Sequence, residues 1–204
     1  MPKMIAIDIA LFPPGDITSI CIKVNNRAIK NGHQGVLLNR VDNFPHISLF
    51  MGAVKYSDLG LIDRDLQLIM GQFNPIVGVV SRLYSKAKDS AGIPMYYFDI
   101  KNTKQLQHLH ELIVKKIRKY VCGPATQSMF YKNKNEKISR GWKFVSNYLK
   151  NSSFIKFNPH ITLRTDHAKF RGKLPIKFNA RRIAICHLGD HCTCRKILWE
   201  GKLK

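Results

Sequence analysis

The chain has 204 residues, 45% of them hydrophobic, and carries 34 Lys and Arg against 13 Asp and Glu, a formal net charge of +21 at pH 7. The apolar fraction excludes a disordered chain, and no stretch approaches the roughly 18 apolar residues that cross a bilayer. Because the five cysteines are an odd number and the N-terminal stretch lacks a secretory signal pattern, we expect a cytoplasmic protein without disulfides or membrane association.

The excess of positive charge is the strongest feature of the composition. Such an excess attracts polyanions and speeds their encounter with the protein, although it specifies no fold. RNA or a small nucleotide substrate is therefore the expected partner. We also expect the protein to be a monomer. The alternative is a basic protein whose charge serves only solubility.

In chain order, the first half of the sequence predicts alternating strands and helices. Asp16 is a candidate N-cap, and apolar residues follow it at helical spacing. The predicted elements of this half are a strand over 4–11, a helix over 16–30, strands over 36–38 and 44–51, and a helix over 59–69.

The second half predicts further strands and two more helices. A Lys- and Ser-bearing connection joins its first two strands, and residues 131–137 are polar enough for an exposed loop. The predicted elements are strands over 75–84 and 93–101, helices over 103–117 and 142–149, and strands over 154–164, 176–188 and 192–199. Mixed strands and helices with hairpin-like connections indicate an α+β fold with antiparallel pairing, and no linker divides residues 1–204.

One pentapeptide occurs twice. Pro45 to Leu49 reads Pro-His-Ile-Ser-Leu, and Pro159 to Leu163 reads Pro-His-Ile-Thr-Leu. Each copy lies in an apolar, β-branched stretch, and the two occupy corresponding places in the two halves of the chain. This repetition suggests two related lobes.

Strand geometry gives the repeat a chemical meaning. Residues i and i+2 of a strand share a face, so His46 and Ser48 project together while Ile47 faces the core. His160 and Thr162 project together in the same way. Two such strands facing across a cleft would bring two imidazoles and two hydroxyls to one point, where one ring takes a proton, the other gives one, and the hydroxyls bind phosphate oxygens. The alternative for a single strand histidine is a hydrogen-bonded structural role.

The two motifs resemble the paired His-x-Ser/Thr motifs of the two-histidine phosphoesterase superfamily, in particular its LigT-like (2′-5′ RNA ligase-like) and cyclic phosphodiesterase members. The resemblance implies one bilobal, pseudo-twofold domain over 1–204, with antiparallel sheets flanking a central cleft and helices outside. It also implies hydrolysis of 2′,3′-cyclic phosphates or 2′,5′-linked oligonucleotides without a metal or other cofactor. His46, Ser48, His160 and Thr162 would be the catalytic residues, with His160 favoured as the base and His46 as the acid.

Residue parity adds three candidate substrate contacts. Arg164 lies two residues beyond Thr162 and is a candidate phosphate ligand. Phe44 and Phe50 share the predicted face of His46 and are candidates for stacking on a base. The alternatives are a solvated arginine and two core phenylalanines.

Two other interpretations stay open. Residues 186–194 hold Cys186, His187, His191, Cys192 and Cys194 around a predicted turn, which allows a zinc site, although the spacing matches no common zinc motif. The alternative overall function is a non-catalytic RNA-binding protein that retains the two-lobed groove. His108 and His110, two apart on a predicted helix, are interpreted as surface or boundary residues.

Overall fold

A computed structural model describes residues 2–88, 94–134, 136–138 and 141–204. Parts of the predicted connection around 85–93 and of the predicted 131–137 loop lie outside the described residues. The α-helices within them are Gly15–Lys30 (α1), Leu59–Met70 (α2), Lys104–Ile117 (α3) and Trp142–Asn151 (α4). The strands are Met4–Phe12 (β1), Ile47–Lys55 (β2), Ile76–Lys88 (β3), Pro94–Ile100 (β4), His160–Thr162 (β5), Ile176–Ala180 (β6), Arg182–Gly189 (β7) and Thr193–Lys202 (β8).

The strands form two antiparallel sheets of four, as the α+β prediction requires. The first sheet has the order β2-β1-β7-β8 and the second the order β5-β4-β3-β6. The strand that follows or contains each repeated motif, β2 or β5, is therefore an edge strand. These two edge strands belong to different sheets but contact each other, and this contact brings the two motifs together.

Alternation along β1 separates a core face from a cleft face. Ile5, Ile7, Ile9 and Leu11 belong to the main core, which also takes in apolar residues of the second sheet and of α1, α2 and α3. The opposite face of β1 includes Ala6, Asp8 and Ala10, and Asp8 contacts the first motif there. Because alternate side chains of β1 face opposite sides, one strand contributes both to the core and to the surroundings of the first motif.

The prediction that His110 is a surface or boundary residue is wrong. This residue of α3 contacts both the first motif and the turn that precedes the second. Its ring is fully buried and stacks on Phe157 with the ring centroids 3.8 Å apart. Nδ1 donates to the Leu49 carbonyl at 2.8 Å, and Nε2 accepts from the Phe154 amide at 3.0 Å. Only the neutral Nδ1–H tautomer fits both bonds.

Three predicted strands differ from the observed ones. Residues 36–38 form no strand, because Leu38 donates its amide to the Asn25 side chain and Val36 to the Arg164 carbonyl. The predicted strand over 154–164 shortens to β5, since a 3₁₀ turn over Phe154–Lys156 precedes it. The predicted strand over 176–188 divides into β6 and β7, which belong to different sheets.

Candidate active site

The two motifs face one cavity of about 710 Å³ between the sheets. His46, Ser48, His160 and Thr162 all line it. The sequence prediction that the four side chains converge therefore agrees with the geometry. A cavity of this size is typical of small-ligand sites.

Both histidines are held in the same way. Nδ1 of His46 donates to the Phe44 carbonyl at 2.7 Å, and Nδ1 of His160 donates to the Asn158 carbonyl at 2.8 Å. In each motif the acceptor lies two residues before the ring. This bond fixes the ring plane and turns Nε2 away from the backbone, which is the orientation that proton transfer to a ligand needs.

The surroundings of His160 favour a neutral ring. Burial is the largest effect and lowers the pKa of His160. The bond to the Asn158 carbonyl opposes it, the charges of Arg164 and His46 lower the pKa further, and Asp99 raises it slightly. The His160 ring lies nearly perpendicular to the Tyr97 ring, with the centroids 4.7 Å apart. A neutral imidazole with Nδ1–H bonded to backbone presents a lone pair on Nε2, as a general base requires.

The first motif rests on a carboxylate that the sequence reasoning missed. Asp8 is fully buried, and its Oδ2 accepts the Ser48 hydroxyl at 2.6 Å and lies 3.4 Å from Nε2 of His46. The hydrogen of Ser48 is therefore engaged in the protein, so its predicted role as a phosphate donor needs the hydroxyl to turn. An acid in the middle of the apolar strand β1 was the available signal.

Arg164 lies beyond the end of β5 at Thr162, so strand alternation does not set the direction of its side chain. A left-handed backbone conformation directs it to the cavity instead. Its φ of 52° is in the left-handed region, and its guanidinium donates to the Cys192 carbonyl at 3.0 Å. Gly35 is needed here, since a Cβ at that position would collide with the Arg164 carbonyl. His191 and Cys192 are also left-handed, at φ 57° and 56°, which marks the β7–β8 turn as strained where it supports Arg164.

The two predicted stacking phenylalanines do not line the cavity. Leu49 has no partner in the β1–β2 register, which runs from Ser48 opposite Ala10 to Phe50 opposite Ile9. This bulge reverses the parity, so Phe50 turns into the core with no exposed surface, and Met51 faces the cavity instead. The stacking role for Phe50 is therefore wrong.

Phe44 is also misplaced as a stacking residue. Its ring packs beside Phe12, with the centroids 5.5 Å apart, and it is absent from the cavity lining. Its contribution to the site is its carbonyl, which holds His46.

Other aromatic and basic side chains line the cavity instead of Phe44 and Phe50, and strand parity does not predict them. Helix α4 and the β3–β4 pair place Trp142, Phe144, Tyr84 and Tyr97 along the cavity. The side chain of Phe144 is 48% exposed, so its face is available to a ligand. Two lysines of the lining, Lys143 and Lys156, carry positive charge there.

The cysteine- and histidine-rich segment does not assemble as one metal cage. Nε2 of His187 donates to the Met129 carbonyl at 2.9 Å, away from the cysteines. In the described part of the chain, the potential ligands that come within 4.8 Å of one another are Asp8, His46 and Cys194. We do not interpret them as a metal site, because Oδ2 of Asp8 already accepts from Ser48 and burial raises the pKa of the Cys194 thiol well above its usual value.

Comparison with known proteins supports the fold. No family model and no curated protein matches the sequence. E. coli LigT is 13% identical over 99% of both chains, with a TM-score of 0.53. The protein TT0787 of Thermus thermophilus is 13% identical over 98% of both chains, with a TM-score of 0.58, and a protein described as a phosphoesterase is 14% identical over 100% of this chain and 99% of its own, at 0.53.

At this identity the likeness shows the fold alone. The chain has the LigT-like fold, so the prediction of an α+β fold with antiparallel sheets is confirmed. LigT has been crystallised with phosphate and with 3′-AMP. None of the helices in the described part of this chain has the length and apolar character of a bilayer-spanning helix.

Proposed function

We propose that this chain is a metal-independent phosphodiesterase that hydrolyses RNA-type 2′,3′-cyclic phosphates or 2′,5′-linked oligonucleotides by paired-histidine acid–base catalysis. One observation carries the proposal: His46 and His160 line the same cavity, and each donates Nδ1–H to the carbonyl two residues before it. The LigT-like fold supports the phosphoesterase class, and metal independence follows from the family resemblance. Residues 1–204 would act as one bilobal monomer, since one chain supplies the whole site.

The chemistry needs a base, an acid and charge stabilisation. Nε2 of His160 would take a proton from water as the water oxygen attacks phosphorus. The bond from phosphorus to the 2′ or 3′ oxygen would break, and His46 would protonate the leaving oxygen. The product is a phosphomonoester, and the two histidines end with their protonation exchanged.

Donors for the charged phosphate oxygens are also present. Thr162 lines the cavity, and its hydroxyl can donate to a phosphate oxygen there. Arg164 keeps further N–H groups beyond the one that binds the Cys192 carbonyl. Burial lowers the pKa of Arg164 from its very high usual value, which leaves it charged at neutral pH. Together they can neutralise the charge that builds up in the transition state.

The cavity wall supports a nucleotide rather than a simple phosphoester. Phe144 and Trp142 offer faces on which a base can stack, and Lys143 and Lys156 can bind a neighbouring phosphate. E. coli LigT, a protein of the same fold, has been crystallised with 3′-AMP, which supports a nucleotide as ligand. The net charge of +21 favours an RNA end over a free nucleotide. Action on RNA in the cytoplasm stays a prediction.

A substrate panel tests the proposal. The protein is incubated with 2′,3′-cyclic nucleotides, 2′,5′-oligoadenylate and RNA ending in a cyclic phosphate, all with a chelator, and the position of the product phosphate is determined. We expect hydrolysis of at least one, lost in His46→Ala and in His160→Ala but kept in His108→Ala, whose exposed histidine lies outside the cavity lining. No turnover, together with RNA binding that survives both alanine variants, would instead establish the non-catalytic binding protein.

A further inference from the structure

The second sheet presents a row of aromatic side chains beside the second motif. Thr162 on β5 lies opposite Tyr97 on β4, and Tyr97 lies opposite Tyr84 on β3. All three residues line the cavity. Because neighbouring strands lie about 4.8 Å apart, this row extends the site roughly 10 Å sideways from the motif that would bind the scissile phosphate.

The equivalent row beside the first motif is small and buried. Ser48 on β2 lies opposite Ala10 on β1, and Ala10 lies opposite Ala184 on β7. Both alanines are fully buried. A substrate that extends across one of the two sheets would therefore do so on the side of the second motif.

The rings of the aromatic row follow one another at contact distance. The ring centroids of His160 and Tyr97 are 4.7 Å apart, and those of Tyr97 and Tyr84 are 5.8 Å apart. Arg82 lies beyond them, with the central carbon of its guanidinium 4.8 Å from the centre of the Tyr84 ring. The row thus leads from the imidazole of the second motif, past two aromatic rings, to a cation.

Arg82 can bind a ligand although it is already paired. Its Nε–H donates to Oδ2 of Asp99 at 3.0 Å, and its side chain is 66% exposed. A guanidinium has five N–H donors, and an ion pair at such exposure adds little to stability. We therefore interpret Arg82 as a contact for a phosphate rather than as a support of the sheet.

A cyclic mononucleotide is too small to use all of these groups. It has one phosphate, which the two motifs would hold, and one base. The other exposed aromatic surface of the cavity, Trp142 and Phe144, lies on α4 and can take that base. Tyr84 and Arg82 would then meet a second base and a second phosphate, which only a longer substrate supplies.

We propose that Tyr97, Tyr84 and Arg82 form a subsite for the nucleotide on the 5′ side of the cyclic phosphate terminus. The preferred substrate is then an RNA end of two or more nucleotides. The inference rests on the proposed phosphodiesterase function. The two tyrosines would stack on the second base, whatever its identity, and Arg82 would bind the adjoining phosphate.

A comparison of substrate length tests the inference. With a chelator present, kcat/KM is measured for 2′,3′-cyclic AMP and for the dinucleotide ApA that ends in a 2′,3′-cyclic phosphate. In the wild-type protein we expect the dinucleotide to be favoured by about 5–150-fold, the range for stacking one base on an aromatic side chain. In Tyr84→Ala the ratio of the two values should fall at least about fivefold. Any change at His160 is shared by both substrates and cancels in this ratio.

Two further tyrosine variants separate stacking from other roles. Tyr84→Phe keeps the ring and loses the hydroxyl that accepts from the Asn158 side chain at 3.4 Å, so it should keep the wild-type ratio. Tyr56→Ala is the matched control, because Tyr56 also packs against a cation, Lys3, but lies outside the cavity lining. It should leave the ratio unchanged.

Arg82 provides a test that does not depend on the folding of the Tyr84 variant, because its side chain is largely exposed. Arg82→Gln should lower the ratio, and the ratio should then depend less on salt, since one phosphate contact has been removed. Arg82→Lys should recover part of the preference through its charge. A ratio that Arg82→Gln leaves unchanged at every salt concentration would remove Arg82 from the subsite.

A wild-type ratio near one, or a ratio that Tyr84→Ala leaves unchanged, would overturn the inference. Equal losses on both substrates in Tyr84→Ala would show that one base lies between the sheet and α4, and would contradict it as well. Calorimetric binding of 3′-AMP and of ApA 3′-phosphate gives the same comparison without turnover. Failure of the subsite is therefore distinct from failure of the proposed function, which would leave both cyclic substrates unhydrolysed.

Discussion

The two motif strands carry nearly the same pentapeptide in different surroundings. The first motif leads into β2, a nine-residue strand with a bulge at Leu49 and the buried Asp8 carboxylate beside it. The second lies on β5, which is three residues long and is followed by the left-handed Arg164. A carboxylate therefore adjoins one imidazole and a guanidinium the other. Nearly identical residues therefore lie in unequal electrostatic surroundings.

The largest effect should come from removing either histidine. His46→Ala and His160→Ala should each lower kcat by about 10²–10⁴-fold, the range for a positioned general acid or base. The double variant should lose much less than the product of the two, because the pair acts as a unit. Steady-state kinetics on a cyclic nucleotide measure this. Fully multiplicative losses would argue that the two strands work independently.

The bulge in β2 gives a stability test of the difference between the strands. Phe50→Ala should lower the free energy of unfolding by about 3–5 kcal/mol, because the bulge buries this ring completely. Phe44→Ala, at a half-buried ring beside Phe12, should cost clearly less. Urea unfolding of both variants provides the values. A small loss for Phe50→Ala together with weaker nucleotide binding would restore its predicted stacking role.

Arg164 is the corresponding feature of the second strand. Arg164→Ala should lower kcat/KM by about 10–100-fold, since a hydrogen bond to a charged phosphate contributes about 1.5–3 kcal/mol. Arg164→Lys should recover only part of this, because an ammonium lacks the planar fork that also holds the Cys192 carbonyl. Gly35→Ala should reproduce the defect without touching the ligand. Unchanged kinetics in Arg164→Ala would remove the arginine from the site.

The smallest effect concerns His110, which links β2 to the 3₁₀ turn that precedes β5. Burial lowers the pKa of His110 below its usual 6.5. As the pH falls, the unfolded chain therefore takes up a proton at this histidine before the folded protein does. The free energy of unfolding should then decrease below about pH 6.5, by at most about 1.4 kcal/mol per pH unit for this group. Urea midpoints between pH 7 and about 5 provide the measurement. His110→Gln should be less stable at pH 7 and flatter over this window, before the carboxylates titrate.

The sequence correctly predicts those features of the site that follow from strand alternation and from the repeated pentapeptide. Strand alternation and the duplicated pentapeptide were enough to place His46, Ser48, His160 and Thr162 together, because both are local properties. They failed where a single inserted residue changes parity. The bulge at Leu49 moves Phe50 into the core, and no pattern in the sequence marks it.

Long-range contacts explain the remaining differences. Asp8 lies 40 residues before its partner Ser48, and only the β1–β2 register brings them together. The segment over 36–38 has strand-like residues, but its amides bond to Asn25 and Arg164 and never enter a sheet. The support that Cys192 gives Arg164 depends on two left-handed residues in a turn, which non-glycine residues rarely adopt.

The pH dependence of kcat/KM on a 2′,3′-cyclic nucleotide, measured with a chelator present, tests the acid–base pair most directly. We expect a bell whose acidic limb lies below about pH 6.5, because burial and positive neighbours lower the pKa of His160 and the ring must be neutral to accept a proton. His160→Ala should remove that limb. A flat profile, or an acidic limb that persists in His160→Ala, would contradict the assignment of the two motifs to one catalytic pair.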